Sequence, residues 1–370
     1  MKKILFATLA LAVMFTSCSK EDNGGNETQN NVLLVKLPAN VSLRAVESQA
    51  STATTITLSD VTVFLLNGNT VAAAPVTFLP AEITAGYKRL EEVPSGVNNV
   101  IVVANIPAGA TVASLTTGTA IKEFAYTIAS QNAGNITTVT RMGEGIPATA
   151  SDPLATPDGH DYKAVSVELT PLVARFEIGT VTKGTGIENV ELVGVWINSY
   201  YTNGSKSAVK FHASSDPVWV VSPSTATSPS TSAFPAITGI TVPSYTEGTY
   251  YNQGSSSVSL TSGSSVYAYQ VFAGNNIPHL ILLVKGEYAA GHYTAGAKYF
   301  LRYLTFRNFL DGSTPITSVV ANTIYKVGVG TTGIVVNADD LTPDPEMNLF
   351  DLGVTVTVTP WTEKTVTPAL

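Results

Sequence analysis

The chain has 370 residues, a formal charge of −7 and only 13% charged residues. That acidity argues against nucleic acid or an anionic membrane surface as the main partner. Length alone suggests about two domains. Ser, Thr, Val, Ala and Gly dominate and aromatics are 8%, a mixture that suits antiparallel β-structure with many turns and poorly suits helical bundles.

The chain opens with a leader. Lys2 and Lys3 precede an apolar stretch from Ile4 to Phe15, and Thr16-Ser17-Cys18 follows. Small residues before a cysteine at the end of such a segment have the pattern of a bacterial lipoprotein signal. Residues 1–17 are then the signal peptide, and Cys18 becomes the lipidated N-terminus. The apolar run falls short of the roughly 20 residues that a bilayer-spanning helix requires. Cys18 is the sole cysteine. Once it is lipidated no thiol remains for a disulfide, so stability must come from apolar cores. Asn23 to Asn31 is polar and contains glycine, as expected of a solvated tether.

Short strand signals follow at close intervals. They run over Val32 to Leu37, Ile56 to Leu66 (closed by the turn Asn67-Gly68) and Val100 to Ala104, which is wholly apolar and reads as buried on both faces. Ala113 to Asn132 has room for one short helix. Further strands are expected at Val165 to Leu169, Leu172 to Ile178, Val190 to Tyr200, Val266 to Phe272 and Leu280 to Val284. Tyr299 to Phe306, Thr323 to Val329 and Val354 to Val358 complete the series. Strands at this spacing, with Gly, Pro and Asn between them, indicate β-sandwiches. The Pro/Gly/Asp cluster from Ser151 to Gly159 marks a domain boundary. A polar tract from Ser222 to Ser265 reads as long surface loops of the second domain.

Catalytic signals are absent. His160, His212, His279 and His292 show no metal-ligand spacing on one element. No nucleophile elbow or phosphate loop is present. Arg141-Met142-Gly143-Glu144-Gly145 matches no phosphate cradle and reads as a loop needing positive φ. Asp339-Asp340 and Asp344-Pro345-Glu346 lack the spacing of a calcium loop. No cofactor, metal or enzymatic activity is expected.

Several segments together resemble one family. They are the lipoprotein start, a first strand ending in Leu43-Arg44-Ala45, and Val61-Thr62-Val63-Phe64-Leu65-Leu66-Asn67-Gly68. Val102-Val103-Ala104-Asn105 and Leu172-Val173-Ala174-Arg175-Phe176 follow. Near the end come Asn322-Thr323-Ile324-Tyr325-Lys326-Val327-Gly328-Val329 and Val354-Thr355-Val356-Thr357-Val358-Thr359-Pro360-Trp361. In this order they resemble the Bacteroidetes fimbrillins, the subunits of type V pili. The resemblance implies an all-β fold of two transthyretin-like β-sandwich domains in tandem, antiparallel and Greek-key in type, with few short helices. It also implies a cell-adhesion role in a surface fimbrium. Ser19-Lys20-Glu21-Asp22 resembles the signal that sends Bacteroidetes lipoproteins to the outer face of the outer membrane.

The candidate site residues follow from the same segments. Leu33, Val35 and Leu37 share one face of the first strand. Arg44 stands between this strand and a Ser/Thr/Ala stretch, Ala45 to Thr55. A protease with an acidic pocket can take Arg44 and accept the small Ala45. The resemblance implies an arginine-specific cut there, after which the first strand leaves. The expected parts are a leader (1–17), a tether with the removed strand (18–44), an N-terminal domain (45–160) and a C-terminal domain (161–370).

Losing a strand leaves unpaired backbone groups beside an apolar groove, which invites another strand. Val354, Val356 and Val358 alternate on one face of a run about 20 Å long. Trp361 and Val366 are further anchors. In strand complementation, backbone pairing supplies affinity and side-chain pockets supply specificity. The run either pairs at home, with only Trp361 to Leu370 swinging out, or is donated whole. Such a head-to-tail contact propagates into a filament. The implied partners are identical or homologous pilus subunits, an arginine-specific protease, the outer membrane before cleavage, and a host or bacterial surface ligand. A pilus anchor that keeps Cys18, a tip adhesin and a surface glycan-binding lipoprotein are the alternatives. Trp196, Trp219 and Trp361 are too dispersed to form an aromatic platform, while Tyr200-Tyr201 and Tyr250-Tyr251 keep the glycan reading open.

Overall fold

The structure is a computed structural model that describes residues 32–37, 42–43, 54–55, 58–132, 139–149, 162–179, 181–210, 258–259, 265–292, 298–311, 313–328, 333–342, 350–353 and 355–358. Cys18, Arg44, Ala45, Val354, Trp361 and Val366 lie outside the described residues. The first part of the chain forms strand β1 (Val32–Lys36), β2 (Val61–Asn67), helix α1 (Pro80–Ala85), β3 (Tyr87–Leu90), β4 (Asn99–Ala104), helices α2 (Gly118–Lys122) and α3 (Ile128–Asn132), then β5 (Arg141–Gly145), β6 (Ala148–Thr149), β7 (Tyr162–Ser166) and β8 (Thr170–Pro171). The second part forms β9 (Val173–Ile178), β10 (Ile187–Asn198), β11 (Ser265–Phe272), β12 (His279–Tyr288), β13 (Tyr299–Asp311), β14 (Thr323–Val327) and β15 (Thr355–Val358). The architecture is all-β, as the composition suggests.

Two sheets enclose the first core. One has the order β6-β7-β1-β3; the other has the order β8-β5-β4-β2 and is extended by Thr70–Val71. Leu33, Val35 and Val165 from the first sheet meet Val61, Val63, Val100 and Val102 from the second. The second sheet is apolar on both sides. Phe64, Leu66, Ile101 and Val103 point away from this core and pack with Ile121 of α2 and Ile128 of α3. That double burial explains the unbroken apolar run in β4, whose Val100 to Ala104 are all 0% exposed. The predicted turn is also present: Gly68 follows β2 at φ 59°, and its N–H donates to Asn98 Oδ1 at 2.9 Å.

Two further sheets form the second core. The order β11-β9-β14-β15 packs against β10-β12-β13. Phe176 meets Phe309 edge-on at 5.5 Å and stacks on Tyr325 at 4.7 Å. The Tyr269 hydroxyl donates across the core to the Val195 carbonyl at 2.6 Å, which satisfies a buried polar group. The two cores are joined by one apolar cluster that contains Tyr126, Ile128 and Phe272. Backbone bonds fix the junction: Ile128 N donates to Thr202 O, and Gly204 N to Tyr126 O, each at 2.9 Å.

Several expectations need correction. Arg141–Gly145 is a strand between β4 and β8, not a loop. Neither Gly143 nor Gly145 is among the residues with positive φ. Their glycines answer a close approach instead, because a Cβ on Gly143 would lie 2.1 Å from the Glu168 carbonyl oxygen. Ala113 to Asn132 holds two helices rather than one. Strand pairing also passes from the first sandwich to the second at Leu172. β7 and β8, which the Pro/Gly/Asp cluster assigns to the second domain, pair with β1 and β5 of the first. The chain needs that return because β1 would otherwise lack a partner on one side.

Candidate assembly site

The site is the slot that holds β1. This strand pairs in parallel with β7 on one side, Val32 to Lys36 against Tyr162 to Ser166. On its other side it pairs antiparallel with β3, Leu33 to Lys36 against Leu90 to Tyr87. The ladder continues past its end: Leu37 N donates to Gly86 O at 2.7 Å, and Val167 N to Lys36 O at 3.0 Å. β1 is therefore interior, yet it comes from the far N-terminal part of the described chain.

Its side chains explain its hold. Leu33, Val35 and Leu37 are 2%, 0% and 6% exposed, and all three lie in the first core. The structure thus brings together the three residues that the alternation singles out. Burying each contributes roughly 1.5–3 kcal/mol, so together roughly 5–9 kcal/mol. A domain's whole net stability is about 5–15 kcal/mol. The slot cannot simply stand empty: losing β1 without a substitute removes a share comparable to the total.

Lys36 is the described basic residue of the strand itself. Lys36 is exposed, but its backbone is paired to both neighbours. A protease requires an extended, detached segment, so Lys36 is a poor target. Arg44 follows Ser42–Leu43 directly in sequence, and that pair bridges antiparallel to Thr54–Thr55.

The C-terminal run differs from β1 in one topological respect. Among the described residues β15 is an edge strand, paired with β14 alone, with Val356 opposite Tyr325 and Val358 opposite Thr323. It can leave without splitting its sheet, whereas removal of β1 divides one.

Buried polar groups elsewhere are dispersed among the described residues. The Arg175 guanidinium donates to Glu177 at 2.7 Å with both side chains almost fully buried. Burial pushes the Arg141 guanidinium down to about 10. Burial, then the nearby Arg307 charge, pushes the His279 imidazole down to about 3. These groups lie on three different strands, β9, β5 and β12. Among the described residues no group of His, Cys, Asp or Glu could hold a metal ion, and no helix is long and apolar enough to cross a membrane. Tyr200 is buried, so it offers no platform for a sugar.

Two strands of the first sandwich, β3 beside the slot and β5 in the facing sheet, carry weak sequence signals. Tyr87-Lys88-Arg89-Leu90 (β3) is short and charged, and its only cue is Gly86, the left-handed cap that stops α1 at φ 76°. Arg141–Gly145 (β5) hides behind two glycines that suggest a loop.

No family model matches the sequence, and neither does any curated protein. Solved structures do match. A protein assigned to cell adhesion from Bacteroides eggerthii has a TM-score of 0.51 at 16% identity, covering 93% of this chain and 99% of its own. Another so assigned, from Parabacteroides distasonis, has a TM-score of 0.51 at 13% identity, with coverage of 91% and 100%. A fimbrilin of Porphyromonas gingivalis has a TM-score of 0.46 at 15% identity, with coverage of 92% and 99%. The chain has the tandem β-sandwich fold of the first two over nearly its whole length.

Proposed function

We propose that this chain is a structural subunit of a cell-surface fimbrium, assembled head to tail by strand exchange. One observation carries the reading. An interior strand, β1, fills a core slot and lies upstream of Arg44 in sequence, so one cut at Arg44-Ala45 frees it from everything downstream. In this mechanism the subunit travels as a lipoprotein held at the outer membrane through Cys18. With β1 in place it cannot polymerise. An arginine-specific protease cuts after Arg44, and β1 departs with the lipid. The segment that includes Val354, Val356, Val358, Trp361 and Val366 from a second copy then fills the slot. Exchange is favoured by pairing, because β15 has one neighbour at home among the described residues and would gain two in the slot.

The test is to cut the lipid-free precursor with an arginine-specific protease and look for polymers by electron microscopy. Filaments are expected from the cut precursor. They should be absent from uncut protein, from Arg44→Ala, and from a chain lacking Trp361 to Leu370. Monomer that stays soluble and folded after the Arg44 cut would overturn the reading. An anchor instead would keep Cys18 in the finished assembly, which mass spectrometry of purified fibres distinguishes.

A further inference from the structure

We infer that a cleft beside the start of β1 seats Trp361 of a second copy, and that the donated strand therefore runs opposite to β1. This rests on the strand-exchange reading above.

The cleft holds about 30 Å³ and is lined by Val32 and Leu33 of β1 together with Val93, Pro94, Gly96, Val97, Pro147 and Lys163. Two of its walls, Val32 and Leu33, leave with β1, and the donated strand rebuilds them. The walls that stay include two prolines and Val97, whose N–H turns back to the Pro94 carbonyl at 3.4 Å. Ile146, next to Pro147 in the chain, is 77% exposed, the most exposed large hydrophobic side chain among the described residues.

The spacing of the tail fits this end. In the reversed direction Val358, Val356 and Val354 take the places of Leu33, Val35 and Leu37. Pro360 then falls just beyond the place of Val32, where the β1 ladder begins. Proline has no N–H to give a ladder, so the strand stops there without losing a bond. Trp361 comes next and reaches the cleft. Its indole brings a large apolar area to Pro94, Val97 and Pro147. Lys163 is exposed and has no ion pair among the described residues; its ammonium stands at the rim, where it can lie over the indole face. Reversal also makes the longer ladder, the five pairs with β7, antiparallel, the slightly more stable kind per residue.

A strand entering in the direction of β1 would carry Trp361 past the place of Leu37 instead, toward Gly86 and Tyr87. Cysteine pairing separates the two directions, because the chain cut at Arg44 has no cysteine of its own. Full-length precursor with Cys18→Ser, Val358→Cys and Lys163→Cys is cut at Arg44, allowed to assemble and mildly oxidised; in the reversed direction Val358 takes the place of Leu33, opposite Lys163. A second chain carries Val167→Cys in place of Lys163→Cys, because a forward strand puts Val358 in the place of Leu37, beside Val167. The expected result is a ladder of disulfide-linked subunits from the first chain and none from the second. Trp361→Ala should weaken subunit association at least tenfold. Filaments that link through position 167, or through neither, overturn the inference and leave strand exchange standing. Filaments whose association is unchanged by Trp361→Ala also overturn it. If the cut parent forms no filaments at all, strand exchange itself fails and this inference falls with it.

Discussion

Leu33 and Leu90 lie side by side in antiparallel register, and both are buried in the first core. In the proposed maturation Leu33 leaves and Leu90 stays. Their contributions at each stage should therefore diverge. Leu33→Ala should destabilise the precursor by about 2–4 kcal/mol, the range for a buried leucine that leaves a partly relaxed cavity. It should not alter the stability of assembled filaments. Leu90→Ala should weaken both. Urea unfolding of precursors and thermal dissociation of filaments provide the comparison. Filaments weakened by Leu33→Ala would show that β1 remains in the fibre.

Gly143→Ala tests the reason for the glycines in β5. The added Cβ would approach the Glu168 carbonyl oxygen to 2.1 Å, and also Val167. Backbone must move, because a carbonyl cannot rotate aside as a side chain can. A loss of about 1–3 kcal/mol is expected, as for other overpacked sites. Ile146→Ala, nearby in the chain but 77% exposed, should leave the monomer within about 0.5 kcal/mol of the parent. Equal melting curves for Gly143→Ala and the parent would contradict the close approach.

These two sites also show what the residues reveal in advance. Val100 to Ala104 declares a doubly buried strand because five apolar residues in a row have no polar face to spare. Leu33, Val35 and Leu37 declare an inward face by alternation. Val165, Val167 and Leu169 alternate too, yet their membership in the first sandwich depends on a partner, β1, far away in sequence. A Pro/Gly/Asp cluster marks where a strand is unlikely to run; it does not say which sheet the next strand joins. Gly143 was opaque for a related reason. A glycine signals permissiveness, and a positive φ and a close neighbour leave the same letter. The slot itself was legible in part. The alternation in β1 and in Val354 to Val358 is local, but the charged strand β3 that closes the slot has no local pattern to announce it.

His279 sets a pH dependence. Its ring nitrogens have no hydrogen-bond partner among the described residues. Burial, and then the Arg307 charge, lowers its pKa to about 3 from the usual 6.5. The folded state thus holds the neutral imidazole, while the unfolded chain takes up a proton below about pH 6.5. The unfolded state binds more protons in that window, so stability falls as pH drops from about 6.5 toward 3. The slope approaches about 1.4 kcal/mol per pH unit, or roughly 2 kcal/mol lost by pH 5. His279→Leu should remove this part of the decline. Urea unfolding at pH 7 and pH 5 measures it, and an identical decline in both proteins would show that other groups carry the acid sensitivity.

Arg141 is the opposite case, a buried cation whose removal should help. Its side chain is 1% exposed, and Nη1 makes one long bond, 3.3 Å, to the Leu169 carbonyl. Nε and Nη2 have no partner among the described residues. Burial alone lowers its pKa to about 10, so it stays charged at neutral pH and bears the desolvation cost. Replacing buried charge with an apolar side chain of similar reach is often neutral or stabilising by about 1–4 kcal/mol. The lost bond to Leu169 leaves a buried carbonyl, which costs about 1 kcal/mol in return. Arg141→Met should therefore raise the midpoint of urea unfolding by an amount equivalent to about 1–2 kcal/mol. Arg141→Ala should not, because it also leaves a cavity beside Ala104 and Pro171, its register partners on β4 and β8. A methionine variant less stable than the parent would mean that the single bond to Leu169 outweighs the cost of burying the charge, and that the guanidinium is part of what holds β8 against β5.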